Sequence, residues 1–385
     1  MTHNQAFGDL PAWGRVDLGS PARACRDATV RAMGVEFSRQ YALHILGLPA
    51  REAALQVARS IQGEIVKAVG DAGWLSPEAR AATADKLART DLKIGFPDHW
   101  PETGRFALRR DHFLANVLAA RRFEQQRSWR RVDRARSPAE WEMLVYPRVG
   151  QGMAAARLVV PNGFPDAYSN SLIMTAAFLN PPRFDGAAAP ELNYATFGSV
   201  FAHEFVHIAE THDFDAAGRQ REMWPAADLA ALKDRHKCVI AQAEAFPTRP
   251  GVKVTGASNL GENVADLGGL RLAYEALAAR LGPALDRPNA AGMTPARRFF
   301  YRFAQSWCQA ATDAELARLA RDDPHGLPAY RVDGPLSNLP AFGQAFSCKA
   351  GAPVMRKPQD VCRVCSSAPS LAPTLPTYRP RLAPA

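Results

Sequence analysis

Residues 193–210 read NYATFGSVFAHEFVHIAE, with HEFVH at 203–207. A helical period puts His203 and His207, four residues apart, on one face, where both imidazoles can reach one zinc ion. Glu204 stands beside them, placed to hold a water rather than the metal. An amphipathic helix with two incidental histidines would carry the same letters; the position of HEFVH inside a helical stretch favours the metal. A zinc site for hydrolysis needs a third protein ligand and an open position for water. The best candidate is Glu262 in GENVADLGG, residues 261–269. Asp266 follows it by one helical turn, so the two carboxylates share a side, and Asn259 stands where it can cap that helix. One carboxylate can bind zinc while the other accepts a hydrogen bond from a zinc-bound histidine. Gly268 and Gly269 would each cost a helix interior about 1 kcal/mol. Close approach to a neighbour, with the HEFVH helix the obvious partner, would offset that cost. In isolation, a Glu and an Asp four apart would simply face solvent.

Outward from this stretch the chain is mostly helical. Apolar residues recur at three- and four-residue spacing from Met33 to Leu92, and Ser76-Pro77 opens the last helix there as N-cap and first position. Helical texture continues through residues 111–129 and 137–145. Residues 156–184 change character, with turn formers around short apolar runs, as in strands joined by turns. Helical pattern resumes at 194–211, 227–245, 260–281 and 294–320. Residues 366–385 are rich in Pro and Ala with little to bury, which predicts a disordered tail.

Composition narrows the class. The 385 residues suggest two or three units of roughly 150 each, and 47% hydrophobic with 22% charged residues excludes a disordered or collagen-like chain. The longest apolar run, near Leu172–Leu179, is under half of the ~18–20 residues of a membrane span. The first residues, MTHNQAFGDLPAWGR, show no basic and apolar signal-peptide pattern. A net charge of +9 raises nucleic-acid binding, but the densest stretch, Arg121–Arg136, mixes in acids and reads as a solvated helix face. Six cysteines are too few for a disulfide scaffold, and Cys362 and Cys365 form a single C-x-x-C without a second pair.

HEFVH, GENVADLGGL and HGLPAYRVDGPLSNLPAFGQAFSCKAG (325–351), in this order, resemble the C-terminal catalytic half of the neprilysin and endothelin-converting-enzyme family of zinc metallopeptidases. The resemblance extends through KIGFPDHW, NVLAARRFE and FLNPPRFD, and covers about residues 25 to 362. It implies His203, His207 and Glu262 as ligands of one Zn2+, Glu204 as general base, and Asp266 as proton donor or histidine-orienting partner. It implies His325 as the donor to the tetrahedral oxyanion and Arg331 as the group that binds a substrate carbonyl. Asn162-Gly163 falls where the family has Asn-Ala on an edge strand that holds the peptide backbone. The family's Asp after the HExxH motif, which backs a zinc histidine, is missing at its usual place, and Glu210 stands closest to it. Cys238 and Cys362 match a family disulfide, whereas Cys25, Cys308 and Cys348 match cysteines whose partners lie outside this chain.

The resemblance therefore implies a mainly α fold with a small β-sheet, a gluzincin (thermolysin-like) catalytic core and a partial helical lobe. The expected divisions are 1–150 for the lobe, 151–365 for the catalytic domain and 366–385 for the tail. The implied function is a zinc endopeptidase for short peptides, cutting on the amino side of bulky apolar residues, with no nucleic-acid partner. An impaired, truncated remnant and a basic binding protein are the alternatives. By resemblance the location is periplasmic or secreted; by the N-terminus as it stands, cytoplasmic.

Overall fold

Ala54, Ala58, Ile61 and Ile65 all lie fully inside the protein, three or four residues apart and so on one face of the same helix. Their stripe sets the packing of the first half of the computed structural model, which describes residues 20–101, 107–134, 140–141, 158–349 and 351–364. The chain runs α1 (Pro21–Ala32), α2 (Gly34–Tyr41), a wide π-type turn (Ala42–Leu46), α3 (Gly47–Gly70), α4 (Pro77–Ala88) and β1 (Asp91–Gly95). It continues with α5 (Phe113–Trp129), β2 (Gly163–Asp166), β3 (Ser171–Thr175), α6 (Pro190–Asn193), a second π-type turn (Tyr194–Gly198) and α7 (Ser199–Glu210). The rest is helical: α8 (Ala226–Glu244), α9 (Leu260–Leu281), α10 (Pro295–Ser306), α11 (Asp313–Asp322), α12 (Pro328–Ser337) and α13 (Pro340–Phe346).

The mainly α architecture with a small sheet is the one expected, and most boundaries fall where the pattern puts them. Ser76 does cap α4, its hydroxyl accepting from the Ala79 amide at 3.2 Å. Two elements differ. The helix expected over 294–320 is two helices, because Thr312 caps a new start with its hydroxyl on the Glu315 amide. Residues Asp91–Leu92, expected at the end of a helix, begin strand β1. Lys93 hides that strand from a hydropathy reading: its side chain is buried and its Nζ donates to the Glu140 carbonyl at 2.9 Å.

β3 is the centre of a three-stranded sheet, with β1 parallel on one side and β2 antiparallel on the other. Its residues SLIMT are all buried, so it reads as a continuous run rather than an alternation. Pro165, which has no N–H to give, is tolerated in β2 because that strand is an edge. β2 in turn lies against α7, and α9 packs along α7 on another side.

Residues before 96 and after 158 share one hydrophobic core. Polar ties reinforce it. Asp228 accepts from the Ser76 amide at 2.9 Å and its hydroxyl at 2.6 Å, and Trp224 Nε1 donates to Thr83 Oγ1 at 2.8 Å. The buried Lys86 ammonium donates at 2.5 Å to the carbonyl of Thr211, just past α7. Burial pushes Lys86 down to about 8, against the pull of Asp213 and Asp215.

Cys238 and Cys362 are joined, as the resemblance implied, while Cys25, Cys308 and Cys348 are free thiols. Cys365 and the tail at 366–385 lie outside the described residues, as do most of 137–145. In the arginine-rich stretch Arg121, Arg122 and Arg130 are exposed, but Arg127 is 4% exposed and paired with Glu124 at 2.5 Å. Among the described residues no helix is long and apolar enough to cross a membrane.

Candidate active site

Helix α7 presents His203 and His207 on one face, and α9 brings Glu262 against them. The approach is close because Gly269 has no side chain. A Cβ there would lie 2.7 Å from the His203 amide nitrogen and 2.8 Å from the Ser199 carbonyl oxygen. The close helix contact expected from the paired glycines is thus made at Gly269.

Three atoms converge. His203 Nε2 lies 3.0 Å and His207 Nε2 3.5 Å from Glu262 Oε2, and the two Nε2 atoms are 3.1 Å apart. Around one tetrahedral zinc with ligand bonds of 2.0–2.2 Å, ligand atoms sit about 3.3 Å from each other. Asp266 Oδ1 accepts from His203 Nδ1 at 2.8 Å, which in the neutral ring leaves Nε2 a lone pair aimed at Glu262. Glu262 Oε2 is buried without a hydrogen-bond partner. Lone pairs gathered in this way, and a buried carboxylate oxygen left over, fit a bound cation. Among the described residues these three are the group able to hold a metal ion.

The electrostatics agree. Burial alone would lower His203, but its hydrogen bond to Asp266 and the carboxylates around it outweigh burial and raise it to about 9. Burial would raise Glu262, yet the two imidazoles facing it hold it well below the usual carboxylate range. Burial pushes Glu204 up to about 7, against the pull of His203 and His207.

Asp266 is buried and doubly paired. Arg331 donates from Nε to Oδ2 and from Nη2 to Oδ1, both at 2.7 Å, and its guanidinium stacks 3.9 Å over the Trp307 ring. Burial would raise Asp266; the Arg331 charge first, then the bond from His203, hold it low. Arg331 was expected to meet substrate, and most of its fork is occupied here by Asp266. Sequence reading had no signal for that pairing, which spans 65 residues.

His325 reaches the same site from the loop before α12, its Nε2 3.3 Å from Glu262 Oε2. Asp323, not singled out from sequence, accepts from the His325 amide at 2.9 Å and meets its Nδ1 at 2.7 Å. An acid two residues before a histidine could have flagged it. Asn259 does begin α9 but makes no side-chain cap. Its Nδ2 donates instead to the carbonyls of Asp323 and His325, at 3.1 and 3.0 Å.

Asn162 is exposed at the head of β2, its Oδ1 accepting from the Gly163 amide at 3.0 Å. Gly163 lies over α7: a Cβ there would be 2.5 Å from Met174 Sδ and 3.3 Å from Glu204 Cγ. Glu210, the residue nearest the family's histidine-backing Asp, pairs with His236 at 3.1 Å. It sits one turn past His207 on α7 but its carboxylate is engaged by α8.

Glu262→Ala is expected to abolish tight zinc binding, because it deletes a ligand atom. Asp266→Ala should weaken binding about 10–100-fold, since it frees the His203 ring without removing a ligand. Metal analysis after dialysis separates them; equal losses would contradict the division of roles.

A family model described as peptidase family M13 matches residues 162–362. An endothelin-converting enzyme homolog of Locusta migratoria is 29% identical over 332 residues, 83% of this chain and 43% of the relative. Membrane metallo-endopeptidase-like 1 of Mus musculus is 27% identical over 324 residues, 80% of this chain and 40% of the relative. Among solved structures, the zinc metalloprotease ZMP1 of Mycobacterium tuberculosis in its open state superposes with a TM-score of 0.78 at 26% identity, covering 90% of this chain and 53% of that one. The chain thus spans about two fifths of the length of these curated relatives. Motif order, site geometry and the match over 162–362 agree: the chain belongs to peptidase family M13.

Proposed function

We propose that this chain is a zinc metalloendopeptidase that hydrolyses short peptides, cutting on the amino side of bulky apolar residues. The observation that carries the reading is the convergence of His203, His207 and Glu262, whose ligand atoms all lie within 4.8 Å of one another, next to a carboxylate at about 7. One zinc ion held by those three residues supplies Lewis acidity, lowering the pKa of a bound water toward about 7 and polarising a carbonyl.

The residues of the chain do the rest. Glu204 accepts the proton of the attacking water and passes it to the leaving amine; a carboxylate near neutrality suits both transfers. His325, held by Asp323 at Nδ1, donates from Nε2 to the oxyanion, a contribution of roughly 3–4 kcal/mol to the barrier. Asp266, kept ionised by Arg331, orients His203 rather than donating a proton. Arg331 offers Nη1, outside its fork on Asp266, to a substrate carbonyl. Asn162 and Gly163 at the edge strand hold an extended peptide by its backbone. The Cys238–Cys362 bond supports maturation in an oxidising, extracytoplasmic space.

The test is zinc content together with hydrolysis of peptides bearing Phe or Leu after the candidate bond. About one zinc per chain is expected, with cleavage lost in chelator and restored by zinc. Zinc without hydrolysis would instead identify a metal-binding but catalytically impaired chain. Hydrolysis indifferent to chelator would overturn the mechanism.

A further inference from the structure

His325 is 40% exposed at its side chain, and among the described residues the ring meets Asp323 on its own loop and Glu262 on α9. The ring therefore goes where its backbone goes. Asp323 cannot supply the anchor, because it moves with the same loop. What ties the loop to the rigid part of the site is Asn259, 2% exposed, whose amide spans the carbonyls of Asp323 and His325. The seating is tight at the next residue too: a Cβ on Gly326 would lie 2.8 Å from Oδ1 of the buried Asn263. Asn259 and Glu262 are three residues apart at the start of α9, so the loop clamp and the metal-ligand carboxylate belong to one turn of helix.

We propose that Asn259 is a positioning residue for the hydrolysis: its buried side-chain amide clamps residues 323–325 and so sets where the His325 imidazole stands relative to the metal-ligand cluster. The proposal rests on the reading of His325 as the oxyanion donor. The chemistry requires a side chain with two N–H donors and no formal charge. Aspartate, which is as good at a helix start as asparagine, would face two carbonyl oxygens with two acceptor oxygens.

The experiment uses the full chain with Asn259→Ala, Asn259→Asp, His325→Ala and the Asn259→Ala/His325→Ala double variant. Asn259→Ala should lower kcat about 10–100-fold, the scale of a misplacement near 1 Å, with KM and zinc content unchanged. Asn259→Asp should be no more active than Asn259→Ala. The double variant should be no slower than His325→Ala alone, since the clamp acts only through the ring. Hydrogen exchange at the amides of residues 323–327 should quicken in both single Asn259 variants, zinc-bound or metal-free. Recovery of kcat in Asn259→Asp would show a helix cap and overturn the proposal. So would zinc loss in parallel with activity, additive effects in the double variant, or unchanged exchange. If His325→Ala leaves kcat intact, the oxyanion reading fails and takes the catalytic part of the proposal with it. A wild-type-like Asn259→Ala beside a crippled His325→Ala would sink the clamp alone.

Discussion

Glu204→Gln is expected to keep its zinc and lose peptide hydrolysis by about 10²–10⁴-fold, the usual span of general-base contributions. The side chain is close to isosteric, and the ligand set of His203, His207 and Glu262 is untouched. Glutamine can still hydrogen-bond a water, so the loss falls on kcat rather than on KM. What it lacks is a lone pair basic enough to take the water proton. The setting around Glu204 strengthens the expectation: burial has already brought the carboxyl to about 7, and β2 packs close to it at Gly163. Steady-state kinetics with zinc content on the same samples decide it. Hydrolysis near the wild-type rate in a zinc-loaded Glu204→Gln protein would rule out Glu204 as the base.

Gly269→Ala should be costly despite improving helix propensity by about 1 kcal/mol. The added methyl would meet the His203 amide nitrogen, the His203 Cα at 2.9 Å and the Ser199 carbonyl, all backbone atoms of α7. A side chain could turn away; a helix backbone has to move. Overpacking of this kind destabilises by about 1–3 kcal/mol, and the shift occurs along the seam that joins Glu262 to His203. Both stability in urea and zinc affinity should fall, the latter by tenfold or more, because a ligand set loosened by about 1 Å no longer closes on one ion. Gly261→Ala is the internal control. It lies on the same helix with nothing within 4 Å of an added Cβ, so it should be neutral or slightly stabilising. Equal behaviour of the two variants would mean that the helices are free to part.

The metal cluster was legible because its geometry is local. His203 and His207 are fixed by one helical turn, as are Glu262 and Asp266 by another, and the glycine pair betrayed the contact between the two helices. Helix ends were legible where a hydroxyl and a proline mark them, as at Ser76-Pro77. The family resemblance supplied what local pattern does not: His325, Arg331 and the Cys238–Cys362 pairing. What stayed hidden depends on partners distant in sequence. Asn259 reads as a cap until the loop 64–66 residues later takes its amide. Glu210 reads as free to back a histidine until His236 of α8 engages it. Lys93 disguises β1 because a partner that makes its burial tolerable, the Glu140 carbonyl, stands 47 residues on.

The parallel edge of the sheet bears on how this protein could be divided. Every ladder bond on that side of β3 comes from Asp91–Gly95, and Lys86 on α4 reaches the Thr211 carbonyl just past α7. The segment matched over 162–362 holds the metal-ligand cluster but not all the scaffolding beneath it. A chain cut near residue 150 would therefore not leave either part with a core of its own. It would leave two complementary halves, each exposing the surface the other had covered, whose joint survival depends on finding one another again.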